Sequence, residues 1–219
     1  MHDTTKMKAN FNLIAPFGPR IGEFTLNDYV TEAMLEMTDE MLLDSTRQSH
    51  GEHLAGQINE EVTIPRETFI DTGLYAFFNQ ITHHYVSEFI EDHSSLRTAI
   101  TEAWIVSQYE NEYNPAHWHE NCSVSAVMYL KVPDLSKRKI TSKRQNPDGE
   151  IVFINKSSIP GRTFENALVN FKPEVGKLYM FPSYLLHAVY PFQGIGERRS
   201  VSFNAVHETD KHDNMSAKL

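Results

Sequence analysis

Cysteine, long apolar runs and positive charge are scarce in this sequence of 219 residues. Its single cysteine, Cys122, excludes an intrachain disulfide and agrees with a reducing cytoplasm. No apolar run approaches the roughly 20 residues of a membrane span, and the N-terminus lacks the apolar core of a signal peptide. We therefore expect a cytoplasmic protein that has no membrane partner.

Basic residues are outnumbered by acidic ones. The chain has 20 Lys and Arg against 29 Asp and Glu, which gives a net charge of −9. Because phosphate binding requires clustered Lys and Arg, nucleic acid is not expected as a partner. A local basic run within residues 137–144 is interpreted as a solvated loop.

The distribution of apolar residues changes near residue 100. Before it, apolar residues at helical spacing predict one helix over roughly 26–46, capped by Thr25 or Asn27, and a second over roughly 67–92. After it, seven or eight short strand-like segments alternate with turn residues. This order predicts a mainly β protein with N-terminal helices, built as a double-stranded β-helix of the jelly-roll or cupin-like type.

The length suits one structural domain. Within it we expect a helical or irregular region over 1–99, packed on the barrel, and a β-helix core over 100–207. Residues 208–219 are expected to form a polar tail.

The most informative stretch begins with two histidines, His117 and His119, and continues into a strand-like segment. Successive side chains of a strand alternate between its faces. The pattern therefore places both imidazoles on the face that carries Ser123, Ser125, Val127 and Tyr129. The opposite face is apolar and reads Val124, Ala126, Met128, Leu130 and Val132. Such a strand packs on a core with one face and lines a site with the other.

A third histidine and an arginine complete the set. His187 follows His117 by 70 residues, and Arg198 follows His187 by 11. Arg198 opens a final strand whose alternation puts Ser200, Ser202 and Asn204 on the same polar face. Two ligand-type residues separated by one residue, a distant third and a basic residue beyond it form a specific constellation around a candidate metal site.

These motifs resemble a known family. His117, Trp118 and His119, the strand from Ser125 to Leu130, and the strand from Arg198 to Asn204 are similar to motifs of the iron(II) and 2-oxoglutarate-dependent oxygenases. The similarity is greatest to a prolyl-hydroxylase-like group with a His-x-His motif, many of whose members come from phage and marine bacteria. It covers roughly residues 100–206.

The resemblance implies an activity, its cofactors and a role for each matching residue. His117 and His187 would bind Fe(II), and His119 stands where the family usually has a carboxylate. Arg198 would bind the distal carboxylate of 2-oxoglutarate, and O2 would be the second co-substrate. Ser200, Tyr129 and Tyr109 are further candidate contacts of 2-oxoglutarate, and no catalytic residue beyond the metal site is implied.

The sequence leaves several alternatives open. Glu120 competes with His119 as the second ligand, although strand alternation favours His119. Three imidazoles also suit Mn or Zn. A three-histidine cupin-type enzyme that does not use 2-oxoglutarate, and a non-catalytic jelly-roll binding or structural protein, are the competing functions.

The substrate, the oligomeric state and the role of two long loops are likewise open. A peptide and a small molecule are equally compatible with the family as hydroxylation substrates. A homodimer is the default expectation. The polar loops over 134–149 and 155–166 are candidates for a lid over the site.

Overall fold

The computed structural model describes residues 3–14, 18–51, 56–90, 93–135, 147–154 and 168–210. Its helices are α1 (Asp28–Leu43), α2 (Arg66–Asp71) and α3 (Leu74–Ser87). Its strands are β1 (Ala9–Ile14), β2 (Ile21–Leu26), β3 (Glu60–Thr63), β4 (Arg97–Gln108), β5 (Asn114–His117), β6 (Val124–Lys131), β7 (Ile151–Ile154), β8 (Leu168–Phe171), β9 (Lys177–Pro182), β10 (His187–Val189) and β11 (Arg198–Glu208). None of the helices described is both long and apolar enough to cross a membrane.

The strands form two antiparallel sheets. The larger has the order β1-β2-β9-β6-β11-β4-β3, and the smaller has the order β5-β10-β7-β8. This arrangement confirms the predicted mainly β fold of the double-stranded β-helix type. The predicted division of the chain at residue 100 stays a prediction.

The main core lies on the outer face of the large sheet, under the helices. Alternate residues of β6 point into it, among them Val124, Ala126 and Met128, as the apolar face of that strand predicts. Phe203 of β11 packs edge-on against Phe78 of α3, with ring centroids 5.7 Å apart. Because the outer positions face this core, the intervening residues of β6 and β11 face the smaller sheet.

The first helix agrees with the prediction, whereas the second predicted helix is divided into two. Helix α1 begins as predicted after Asn27, whose side-chain oxygen accepts a hydrogen bond from the Val30 amide. The second predicted helix is two helices, separated at Thr72 and Gly73. Gly73 has φ +81°, a left-handed conformation that glycine adopts most easily. This conformation ends the first helix, and the apolar stripe continues on the second.

The N-terminal half contains strands that the sequence pattern did not reveal. Strand β2 joins the large sheet between β1 and β9, and β3 pairs with β4 at the opposite edge. The β3 segment, Glu60–Thr63, is only four residues long, which is too short for a clear alternation. The predicted irregular region therefore supplies three strands to the large sheet.

The predicted single strand through His117 and His119 is wrong. His117 ends β5 in the small sheet, whereas β6 starts at Val124 in the large sheet. Asn121 between them has φ +59°, which marks a turn. The predicted lid loops fall largely on residues 136–146 and 155–167, which lie outside the described residues.

Candidate metal centre

Three imidazoles meet in a cavity between the two sheets. His117 and His187 are direct partners across the pairing of β5 with β10. The third, His119, follows β5 in the connecting loop, where its backbone N–H donates to the Ser183 carbonyl at 3.0 Å. One ring nitrogen from each histidine lies within 4.8 Å of the others. The sheets therefore bring together the three predicted metal ligands.

Two of the imidazoles are oriented by backbone carbonyls. His117 Nδ1 lies 2.7 Å from the Pro115 carbonyl oxygen, and His187 Nδ1 lies 2.8 Å from that of Leu185. A carbonyl can only accept, so Nδ1 of each ring must carry the proton. Nε2 of each ring then has a free lone pair, the usual arrangement of a metal-binding histidine.

Burial keeps all three imidazoles uncharged near neutral pH. It lowers the pKa of His117, and it lowers that of His187 well below its usual range. Burial, and secondarily the proximity of His117 and His50, lowers the pKa of His119 to about 4. Since a histidine must be deprotonated to bind a metal, the cluster has a suitable charge state.

The predicted alternative ligand, Glu120, lies elsewhere. Its side chain is exposed, and it is not part of the cluster that contains His119. The donor set in the cavity is therefore three nitrogens with no carboxylate. Such a set fits Fe(II) and also Mn or Zn.

Arg198 lies on another wall of the same cavity. It is 1% exposed, and its Nε donates to the Gly149 carbonyl at 3.0 Å. Its guanidinium carbon lies 4.8 Å from the centroid of the Tyr129 ring. Within the described residues, neither Arg198 Nη2 nor the Tyr129 hydroxyl, both of them buried, has a hydrogen-bond partner. Burial raises the pKa of Tyr129 although the neighbouring Arg198 guanidinium opposes the rise, so this hydroxyl retains its proton.

Two other predicted contacts have different positions. Ser200 is buried and lines the cavity, next to Tyr129 in the pairing of β11 with β6. Tyr109 is 47% exposed and is not brought to the cavity. The reason is that β4 ends at Gln108, and the Tyr109 backbone N–H then turns to donate to Glu112.

Several residues of the site were not predicted. Trp104 of β4 lines the cavity and lies between His119, 5.8 Å away by ring centroids, and His50, on which it stacks at 4.7 Å. Asn114 also lines the cavity and hydrogen-bonds to the buried carboxylate of Glu61. His50 itself lies on the far side of Trp104 from the three histidines. Only the alternation of β4 could have indicated Trp104.

The fold is that of the double-stranded β-helix class, and its cavity carries a cluster of three histidines that could hold a metal ion. Residues 102–204, just under half of the chain, match the model of a family described as "Putative 2OG-Fe(II) oxygenase". The match includes His117, His119, His187 and Arg198, and it confirms the resemblance that the motifs predicted. The family implies Fe(II), 2-oxoglutarate and O2. No curated protein sequence matches the chain.

Solved structures of this class share the fold. A prolyl-4-hydroxylase from Pseudomonas putida is 14% identical, with a TM-score of 0.53 over 92% of this chain and 95% of that one. A prolyl hydroxylase from Trichoplax adhaerens is 11% identical, with a TM-score of 0.53 over 95% and 87%. The non-haem α-ketoglutarate-dependent epimerase SnoN, from nogalamycin biosynthesis, is 13% identical, with a TM-score of 0.54 over 85% and 76%. At these identities the likeness concerns the fold.

Proposed function

We propose that this oxygenase is a hydroxylase in which His117, His119 and His187 hold Fe(II) and Arg198 binds 2-oxoglutarate. The observation that carries the proposal is the buried guanidinium of Arg198 in the cavity of the three histidines. No ion pair of Arg198 occurs within the described parts of the chain. A buried charge without a partner is costly, and a carboxylate ligand would remove that cost.

The polar atoms around Arg198 suit a carboxylate. Arg198 Nη2 and the Tyr129 hydroxyl are two buried donors that have no acceptor among the residues described, and a carboxylate can accept a hydrogen bond from each. Ser200, across from Tyr129, adds a hydroxyl to the same wall. The Gly149 carbonyl, which accepts from Nε, holds the guanidinium in place.

The histidines suit a divalent metal at the other end of the cavity. His117 and His187 present neutral Nε2 atoms that are already oriented by backbone carbonyls. Bound Fe(II) with 2-oxoglutarate supplies the oxidation, in which O2 converts 2-oxoglutarate to succinate and CO2 while one oxygen atom enters a C–H bond of the substrate. The walls of the cavity, among them Trp104 and Phe181, would limit the access of bulk water to a bound metal.

The substrate proposed is a peptide or a small molecule. The similarity in fold to prolyl hydroxylases supports a peptide substrate, and the similarity to SnoN supports a small molecule. The net charge of −9 supports neither nucleic acid nor an anionic surface as a partner. A homodimer and a cytoplasmic location are proposed on the grounds given by the sequence.

The proposal is tested by succinate formation from 2-oxoglutarate under air, with the full chain and added Fe(II). We expect succinate to depend on Fe(II), and the His187→Ala variant to form none. The Glu120→Ala variant is the matched control, because Glu120 is exposed beside the site, and it should behave as the wild type. Equal succinate formation by wild type and His187→Ala would overturn the proposal.

The three-nitrogen donor set favours one second candidate. A cupin-type metalloenzyme that does not use 2-oxoglutarate would bind its metal at the same histidines, and Arg198 would bind an acidic substrate directly. Metal binding without any binding of 2-oxoglutarate would select this candidate.

A further inference from the structure

His119 differs from the other two histidines in what its Nδ1 atom faces. Where His117 and His187 have a backbone carbonyl, His119 has the side-chain amide nitrogen of Asn204, at 3.4 Å. Asn204 is 2% exposed and belongs to the inner face of β11. The Nδ1 atom of His119 therefore faces a hydrogen-bond donor, whereas Nδ1 of the other two histidines faces an acceptor.

The orientation of the Asn204 amide is fixed by two neighbours. Its oxygen accepts a hydrogen bond from the Ser125 hydroxyl at 2.8 Å. Its nitrogen donates to the Glu102 carboxylate at 2.6 Å. Turning the amide over would place its oxygen against that carboxylate, which can only accept when ionised. Glu102 thus holds the Asn204 nitrogen toward His119.

The tautomer of His119 follows from this orientation. An amide nitrogen only donates, so Nδ1 of His119 must accept and cannot carry a proton. A neutral imidazole has one N–H, which in His119 is then on Nε2. In His117 and His187 the same nitrogen has the free lone pair.

We propose that Asn204 is a positioning residue that holds His119 in the tautomer opposite to that of His117 and His187. His119 therefore could not bind the proposed metal in its resting tautomer. To bind through Nε2, it would have to release the Nε2 proton to solvent and take up a proton at Nδ1. The protonated Nδ1 could then no longer accept from Asn204. The role in metal binding rests on the proposed function, whereas the tautomer itself does not.

The tautomers are measurable in the metal-free full-length chain by long-range 15N–1H NMR of the histidine rings near neutral pH. Signals are assigned with His117→Gln, His119→Gln and His187→Gln variants. We expect the Nδ1–H form for His117 and His187 and the Nε2–H form for His119. An Nδ1–H form at His119 would overturn the inference, whatever the protein does with 2-oxoglutarate.

Glu102→Gln tests the cause of the difference. The glutamine amide can donate to the Asn204 oxygen, so the Asn204 amide is no longer held in one orientation. We expect the His119 signals to shift toward the Nδ1–H form in this variant, while those of His117 and His187 stay unchanged. Glu120→Gln, which removes an exposed charge from the same loop, is the control and should leave the His119 tautomer as in the wild type.

A double variant tests the consequence for the metal. In Glu102→Gln with Asn204→Asp, the glutamine donates to the aspartate, Ser125 still donates to it, and the aspartate accepts from a protonated His119 Nδ1. Changes of this kind beside a metal ligand shift affinity by about 10–100-fold. We expect Zn(II) to bind at least about tenfold more tightly by calorimetry. Equal or weaker binding, with an unchanged circular dichroism spectrum, would contradict the proposed role.

Discussion

Arg198 and Arg199 are neighbours in β11 with opposite surroundings. Arg198 faces the cavity, where its Nη2 atom has no hydrogen-bond partner among the described residues. Arg199 faces the outer side, where it pairs with Glu197 at 2.6 Å and with Asp39 at 2.5 Å. One guanidinium is thus neutralised by carboxylates, whereas the other has no ion pair in the described parts of the chain.

This contrast predicts the effect of two equivalent substitutions on co-substrate binding. Arg198→Lys removes the planar fork that can bind a carboxylate with two hydrogen bonds, so 2-oxoglutarate should bind roughly tenfold more weakly or worse. Arg199→Lys makes the same chemical change at the neighbouring position and should leave that affinity unchanged. The measurement is calorimetric titration of the Zn(II)-loaded protein. Equal losses in the two variants would speak against Arg198 as the carboxylate site.

Replacing His119 with aspartate should strengthen iron binding. The Asn204 amide nitrogen, which suits a neutral His119 only in one tautomer, is a good donor to a carboxylate ligand. His119→Asp also restores the two-histidine, one-carboxylate set typical of Fe(II) oxygenases. We expect the dissociation constant for Fe(II), measured anaerobically, to fall by about tenfold. His119→Ala shows the affinity that remains without a side-chain ligand at this position. An aspartate variant that binds Fe(II) no more tightly than the wild type would refute the prediction.

Acidification should release the metal only well below the usual titration range of histidine. Protons compete for the ligand nitrogens, but burial lowers the pKa of all three imidazoles, that of His119 from 6.5 to about 4. Zn(II) affinity should therefore change little between neutral pH and about 6 and then fall steeply toward about 4. The same shift makes the metal-free fold less stable as the pH drops below 6.5, since the unfolded chain binds protons first. Loss of metal centred near 6.5 would contradict this account.

Glu61 should make the folded state less stable as the pH rises toward neutrality. Burial, followed by the charge of Glu112, raises its pKa from 4.5 to about 7, although the Asn114 hydrogen bond opposes the rise. The folded state therefore holds a proton that the unfolded chain loses, and its stability declines as the pH rises from 4.5 to 7. Glu61→Gln cannot ionise, so it should be more stable than wild type above pH 7, by on the order of 2–3 kcal/mol.

The test is urea unfolding of wild type and Glu61→Gln at pH 5 and pH 8. The gain from the substitution should be present at pH 8 and nearly absent at pH 5. Glu67→Gln, on the exposed side of α2, is the control and should show no such difference. A gain of equal size at both pH values would show that ionisation of Glu61 is not its cause.

The sequence predicted the grouping of the three histidines better than the path of the chain between them. Alternation in β11 correctly separated Arg198 and Ser200 from the core residues Val201 and Phe203, because that strand is long and its outer face carries apolar side chains. For His117 and His119 the same argument predicted a shared cavity through a wrong strand, since Asn121 turns the chain from one sheet into the other. The His-x-His spacing identified the pair in spite of this turn.

What the sequence could not predict depends on individual side-chain contacts. Tyr109 was expected at the site, but β4 ends just before it, and a local contact with Glu112 turns it outward. Asn204 was placed on the correct face, yet its orientation depends on Glu102 and Ser125, which lie far from it in sequence. The Asn204 contacts leave no pattern in one sequence, because they are set by the pairing of β4, β6 and β11.

The central claim is that Fe(II) and 2-oxoglutarate bind together in the cavity of His117, His187 and Arg198. Its most direct test is an anaerobic titration of the metal-free protein with Fe(II) and then 2-oxoglutarate, followed by visible absorption. We expect a weak charge-transfer band that appears only when both are present and is lost in His187→Ala. Bound Fe(II) that gives no band at saturating 2-oxoglutarate would contradict the claim.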